Sequence, residues 1–525
     1  MTDSKIDLAS LPKRPKRWFT THRLKVTVQT SVFLLWISLI FATKHPIQGW
    51  LSDHIPVSLF LRADPLVTTV VWGGMRMGVT LLLLGVVTFL VTLILGRVFC
   101  GWVCPLGATF DFYSWILKFL KVPHFGPSPK FFRMKFYLLA ALLFLACFGV
   151  ASPLIGLDPV VLLTRTVASV FQPLFRQHGE LGTGHVVDFA SLILFALIMG
   201  YTTRVSRVWC RTACPLGAYL AVGSKVALLR RETKDCIQCG ICSANCPTGA
   251  ISFQDANIYN ESECVKCFVC SDACPVDANF FTFKSPVKDP KTDHVQLDRR
   301  VFLGTLTTAA LSIPILKADG GTANSAKTLI RPPMSREEPD FLNSCIRCGE
   351  CMKACPTGTL KPSGFENGLR ALWTPVMTPL EAPCKEGCNA CSQACPTDAI
   401  LKYPIENKYL YKSGTALFDT SKCIGYTEDR VCVECVRVCP TDAISFSLGW
   451  EPNPDGPRHK WGVPIAGNEK TAPAGQTPTR PLAVSFDACV GCGACEAACN
   501  EVVGGDPAMK TTSLGRATPT TLKKV

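Results

Sequence analysis

Residues 236–247 read CIQCGICSANCP, and residues 264–275 read CVKCFVCSDACP. In this C-x2-C-x2-C-x3-C-P arrangement three closely spaced thiolates can wrap one cubane, while the fourth turns away to ligate its neighbour. Two short half-sites are thereby tied together. The spacing assigns Cys236, Cys239, Cys242 and Cys274 to one [4Fe-4S] centre, and Cys264, Cys267, Cys270 and Cys246 to another. Structural zinc also uses C-x2-C pairs. Four cysteines and a terminal proline, twice over, favour iron and sulfur.

The theme returns toward the C-terminus with variations. Cys345, Cys348, Cys351 and Cys355 come first, then Cys384, Cys388, Cys391 and Cys395. Cys423, Cys432, Cys435 and Cys439 follow with a longer first gap, and Cys489, Cys492, Cys495 and Cys499 end in asparagine instead of proline. Because the second and third of these groups both continue as CPTDAI, they are expected to form one two-cluster unit, leaving the first and fourth to form the other. Consecutive pairing is the rival. Either way 24 of the 29 cysteines become ligands to six [4Fe-4S] clusters. The absence of C-x-x-C-H and a total of eight histidines exclude a multihaem chain. No phosphate-cradling glycine loop opens a βαβ unit, so the chain carries electrons without a nucleotide site of its own.

Around these groups the composition is that of a membrane protein joined to something polar: 525 residues, 48% hydrophobic, 18% charged, mean hydropathy +0.24. The net charge of +14 does not point to nucleic acid, since the basic residues cluster beside apolar segments. Residues 1–25 form a basic arm leading into an uncharged run from Val26 to Thr43, and further uncharged stretches cover Met77–Gly96, Phe136–Leu157 and about Val186–Thr203. Each approaches the roughly 20 residues a helix needs to cross hydrocarbon. Residues 26–218 are therefore expected to be a four-span helical membrane domain. Six basic residues against Asp111 place the stretch between the second and third spans inside, together with the N-terminus.

This domain reads as a duplication. LRADPLV (61–67) precedes one span and CGWVCPLGA (100–108); GLDPVVL (156–162) precedes another and CRTACPLGA (210–218). Two helix pairs should pack about a pseudo-twofold axis. Cys100 and Cys104, like Cys210 and Cys214, are expected one helical turn apart at the inner end of a span, where four thiols could hold a cofactor, form a switchable dithiol, dock the ferredoxin or simply pack. Cys147 is expected to be ordinary packing. If the donor is a lipid-soluble quinol, a polar residue must take its protons. Asp64, Asp158, His178 and His185 are the outer-side candidates, although Asp-Pro is also a common turn former.

Residues 219–297 form the two-cluster ferredoxin domain. Residues 298–320, with Arg299-Arg300 and an uncharged core from Val301 to Leu316, have the pattern of an internal twin-arginine export signal and a candidate fifth span. A linker (321–340) leads to a four-cluster domain and tail (341–525). The fold class is an α-helical membrane domain plus α+β ferredoxin-like [4Fe-4S] domains.

The first 290 residues, with four apolar segments, CGWVCP, CRTACP and two ferredoxin motifs, resemble the NapH and MauN membrane proteins. Residues 298–525, with the twin arginine and four ferredoxin motifs, resemble the exported NapG and MauM polyferredoxins. The resemblance implies a quinol dehydrogenase type of electron-transfer protein in a bacterial plasma membrane. Electrons would pass from quinol through six clusters to a periplasmic cytochrome c or reductase, such as the nitrate reductase chain. The first ferredoxin domain would be cytoplasmic and the C-terminal one periplasmic. An accessory role in maturing a periplasmic metalloenzyme is the alternative, and clusters used only as folding staples would be a third.

Overall fold

A computed structural model describes residues 21–42, 58–75, 82–122, 132–150, 153–174, 189–252, 255–284, 297–319, 329–428, 432, 434–446 and 481–516. The chain divides into two compact units, one of residues 1–42, 57–166 and 189–313, the other of residues 43–56, 167–188 and 314–525. His178 and His185, most of the basic arm and part of the linker lie outside the described residues.

Helix α1 (Thr21–Ala42) realises the first apolar run. Its stretch Thr21–Ile40 is, among the described residues, the one helix long and apolar enough to cross a membrane. The other three expected spans become shorter helices: α3 (Leu83–Leu95), α5 (Met134–Cys147) and α7 (Phe189–Thr202), of 13, 14 and 14 residues. Residues 76–81, 151–152 and 175–188, which adjoin them, are outside the described set.

Two helices were not expected at all. α2 (Pro65–Met75) and α6 (Pro159–Leu174) start inside segments that read as outer loops. In both, an aspartate precedes a proline at the first helical position, where the missing N–H costs nothing. The Asp side chain then caps the helix. α4 (Pro105–Phe119) and α8 (Pro215–Ser224) also start at a proline, with Cys104 and Cys214 at the N-cap position, where the Cys214 sulfur accepts the Gly217 N–H. The cysteine pairs therefore do not share a helical face, as their spacing suggested. Cys100 sits in a five-residue π-helical turn (Phe99–Val103) and Cys104 caps the next helix; Cys210 lies in a short helix (Val208–Thr212) and Cys214 caps its successor. Cys147, expected in the packing, ends α5 exposed.

The ferredoxin part of this unit is framed by an antiparallel pair, β1 (Leu229–Thr233) and β2 (Asn279–Phe283), in register from Leu229 opposite Phe283 to Thr233 opposite Asn279. Both cysteine groups fall between the strands. α9 (Arg299–Asp319) carries the twin arginine as a 21-residue helix with Pro314 inside; its composition is too mild to meet the criterion that α1 meets.

In the second unit β3 (Leu360–Pro362) pairs with β4 (Pro375–Met377), β5 (Thr415–Phe418) with β8 (Met509–Thr512), and β6 (Ile444–Phe446) with β7 (Pro481–Val484), all antiparallel. α10 (Ala494–Val503) carries the last two cysteines of the chain. Little here is core in the ordinary sense. Ile330, Phe341, Leu342, Met352, Met377 and Ile400 pack directly against cysteines.

Candidate metal centres

Tight reversals bring the cysteines inward. Gly240, Gly349 and Gly493, each two residues before the third cysteine of a group, adopt left-handed backbone at φ 74°, 80° and 78°. Phe268 occupies the equivalent place at φ 60°, where a side chain costs about 1–2 kcal/mol. Its ring packs edge-on against Phe281 at 4.6 Å and against Trp102 of the helical part at 6.1 Å.

Cys264, Cys267 and Cys270 line one cavity together with Cys246, the fourth cysteine of the preceding group, beside Arg231, Tyr259 and Phe281. The crossed arrangement expected from the spacing is thus the one found at this centre. Cys236 stands by Cys242. The sulfurs of Cys246 and Cys274 accept the N–H of Ala250 at 3.3 Å and of Ala278 at 3.2 Å.

In the second unit the expected pairing is overturned. Cys345, Cys348 and Cys351 line a cavity with Cys395, while Cys355 stands by Cys384 and Cys391, so the first group pairs with the second. Cys435 lies by Cys432, Cys423 and Cys499, and Cys495 by Cys492, Cys489 and Cys439, so the third pairs with the fourth. The shared CPTDAI reflects a repeated local turn in which the fourth sulfur can accept a backbone N–H, as Cys439 does from Ala443 at 3.3 Å. It says nothing about which group lies opposite. Strand pairing decides that, because β5 with β8 and β6 with β7 clamp the third and fourth groups together. Where Asn500 replaces the proline, α10 continues past Cys499 to Val503.

The two pairs adjoin. The Cys384 N–H donates to the Cys492 carbonyl at 2.9 Å. The Cys345, Cys384, Cys489 and Cys423 sites therefore follow one another in that spatial order. Lys408 holds its ammonium 3.5 Å from the Cys384 sulfur.

Do these residues fit clusters? Burial pushes the Cys348, Cys351 and Cys391 thiols well above the ordinary range, so thiolates there need a metal's charge beside them. Among the described residues no three His, Cys, Asp or Glu side chains converge closely enough to share one metal ion. A cubane requires no such convergence, since each thiolate meets a separate iron.

The helical part holds a second assembly. Cys100, Cys104, Cys210 and Cys214 are all buried and stand within electrostatic reach of one another. Asp158 lies within electrostatic reach of Cys104 and Cys214. Asp64 and Asp158, read as outer-loop residues, are fully buried and lie beside each other. Asp64 Oδ1 accepts the N–H groups of Leu66 and Val67 at 2.8 and 3.2 Å; Asp158 Oδ1 accepts those of Val160 and Val161 at 2.9 and 3.3 Å. The duplication thus brings four helix N-termini to one place.

Sequence reasoning missed the buried charges around this place. Arg97 and Arg207 each stand three residues before the first cysteine of a pair, and R-V-aromatic-C-x3-C-P-L-G-A repeated twice was the available signal. Arg207 is held by Asp111 at 2.6 and 2.7 Å and donates to the Cys100 carbonyl at 3.1 Å. Arg97 Nη1 donates to the Ser262 carbonyl at 2.6 Å, and Lys135 reaches both oxygens of Glu263 at 2.6 Å. With Trp102 Nε1 donating to the Lys266 carbonyl at 2.9 Å, these bonds fasten the second ferredoxin loop to the helices.

Models of known families match along the chain. A 4Fe-4S binding domain matches residues 77–123 and 187–234, and a 4Fe-4S dicluster domain matches residues 228–284. A further dicluster domain covers 383–443, and single 4Fe-4S binding domains cover 341–361 and 486–504. The 383–443 match runs across the second and third C-terminal groups, which the fold assigns to different pairs. The ferredoxin-type protein NapG of Escherichia coli is 33% identical over 199 residues, 37% of this chain and 75% of that protein. Methylamine utilization ferredoxin-type proteins MauM are similar: that of Methylorubrum extorquens is 34% identical over 32% of this chain and 67% of its own length, and that of Paracoccus denitrificans 33% over 32% and 66%. No solved structure matches the chain.

Proposed function

Since the chain belongs to the NapG and MauM family of ferredoxin-type iron–sulfur electron-transfer proteins, we propose that it is a membrane-bound quinol dehydrogenase component with six [4Fe-4S] clusters. It would pass electrons from quinol toward a periplasmic cytochrome c or reductase. The observation that carries this reading is the backbone bond from Cys384 to Cys492, which makes one continuous row of the four C-terminal sites. Isolated staples would not need to abut.

When bound, the clusters supply one-electron chemistry. The chain's own residues do the rest. Cysteines fix the spacing, burial excludes water, and N–H groups on sulfur together with Lys408 stabilise added negative charge, the means by which a protein sets potential. The helices α1, α3, α5 and α7 form the anchor, and Asp64 with Asp158 is the buried carboxyl pair able to receive quinol protons. Both halves in one chain keep donor and acceptor at high effective concentration.

The test is anaerobic reduction of the full chain in lipid vesicles by a quinol analogue, followed by electron paramagnetic resonance. Rapid reduction of the clusters is the expected result. Clusters that dithionite reduces but quinol never does would overturn the donor. The MauM likeness supports a second reading, a maturation role. A deletion strain retaining cofactor-loaded terminal enzyme but lacking electron supply would exclude it.

A further inference from the structure

Lys408 stands in a short 3-10 turn, Ile405–Leu410, that folds over the Cys384 site. Two bonds seat the segment there. The buried Tyr403 donates its hydroxyl to the Cys388 carbonyl at 3.4 Å, and Asn389 Nδ2 donates to the Tyr403 carbonyl at 2.9 Å. Lys408 is 8% exposed, and its ammonium donates to the Lys385 carbonyl and, at 3.5 Å, to Cys384 Sγ. A buried ammonium ordinarily faces a carboxylate. This one faces sulfur: among the described residues its leading electrostatic partners are Cys384, Cys388 and Cys391, three ligands of one site.

The other three C-terminal sites are built differently. Cys439 accepts the neutral Ala443 N–H at 3.3 Å, and Cys489 the Ala416 N–H at 3.4 Å. Where charge comes near, it is mixed, screened or negative. Arg347 and Glu350, of opposite sign, flank the Cys345 site, and Arg347 donates to the Leu372 and Arg370 carbonyls at 3.0 and 2.9 Å. Lys412 is partly exposed and stands near Cys489 and Asp487 alike. Glu434 stands by Cys432. Reduction adds negative charge to a cluster, and hydrogen bonds to its sulfurs, net charge and solvent exposure set how readily it is accepted. A charge-assisted bond is about twice as strong as a neutral one, and a Coulomb interaction grows as distance and dielectric fall. The direct, buried contact of Lys408 with sulfur therefore outweighs the neutral N–H groups and the screened or opposed charges at the other sites.

We propose that Lys408 makes the cluster of Cys384, Cys388, Cys391 and Cys355 the most readily reduced of the four C-terminal clusters, the station at which an electron rests. Through the backbone contact from Cys384 to Cys492 that station lies at the junction of the two pairs. An electron entering the row from either end settles there before it moves on, so the row holds one electron until an acceptor docks. The assignment rests on the row being an electron carrier and on no particular donor.

The full chain is purified anaerobically in detergent and titrated with dithionite and redox mediators, with electron paramagnetic resonance recording each reduced cluster. Single variants Cys348→Ser, Cys388→Ser, Cys492→Ser and Cys432→Ser, one per site, assign the C-terminal signals. As the potential is lowered, the first of these four signals to appear should be the one that Cys388→Ser removes or reshapes; any other order overturns the proposal. Lys408→Gln should keep wild-type iron and acid-labile sulfide while making that cluster about tenfold harder to reduce, equal to about 59 mV for one electron. Lys408→Arg should restore most of the shift. A midpoint that does not move in Lys408→Gln assigns Lys408 to packing and overturns the proposal as well. Should that variant lose iron, the order of reduction in the wild-type chain still decides. Because the titration uses no quinol, a chain that quinol never reduces can still show the expected order, and one that quinol reduces can still fail to.

Discussion

Glu338 shows how single charges keep a cluster module closed. Burial pushes its carboxyl up, but Arg331 and then Arg516 outweigh this and hold it below its ordinary 4.5. Arg331 is fully buried and donates to Glu338 Oε1 at 2.6 Å and to the Pro375 carbonyl at 2.7 Å. A group whose folded value is depressed contributes stability above its unfolded value, lost as pH falls through the folded one. Stability of this module should therefore decline below about pH 4.5. Glu338→Gln should cost about 1 kcal/mol at neutral pH, a third-exposed carboxyl being partly screened, and should flatten the acid limb. Loss of cluster absorbance against denaturant and pH measures both. At this scale the sequence was most legible where chemistry demands one residue type, as at the cysteines. It was least legible where a common residue takes a rare setting: Asp64 and Asp158 read as turn formers because Asp-Pro starts turns and helices alike, and only burial separates the two.

Among the elements, the short strand pairs determine which cysteine groups meet, and glycines determine how closely the pairs approach. Gly493 caps α10 at φ 78°, and a Cβ there would stand 2.2 Å from the Cβ of Pro379. Gly493→Ala should combine left-handed strain of about 1–2 kcal/mol with overpacking of about 1–3 kcal/mol, and so loosen the contact between the two dicluster pairs. Proteolysis between them and a slower passage of electrons along the row are the expected signs. Equal protease resistance in wild type and variant would show that the contact is dispensable. The four apolar stretches were legible as helices, since hydropathy reports apolar length. The half-length helices α2 and α6 were not, because the 11 residues of α2 are too few to read as a span and Arg165 interrupts the apolar run of α6.

The proposed crossing is tested on the whole chain. Reporters fused after residues 290 and 525 should appear on opposite faces of the membrane, with α9 as the crossing between them. Two reporters on one face would retire the periplasmic acceptor. Composition announced an apolar helical part and an iron–sulfur part, and a twice-repeated motif announced the duplication within the helices. What no spacing could announce was the interleaving of sites. Because Cys499 completes the site begun by Cys423, and Cys439 the one begun by Cys489, a ribosome that stalls before residue 489 releases a product lacking two working centres, not one. Iron delivery to both of those sites must wait until translation has passed residue 499, so a stop codon just before Cys489 should cost the same two clusters as one placed before Cys423.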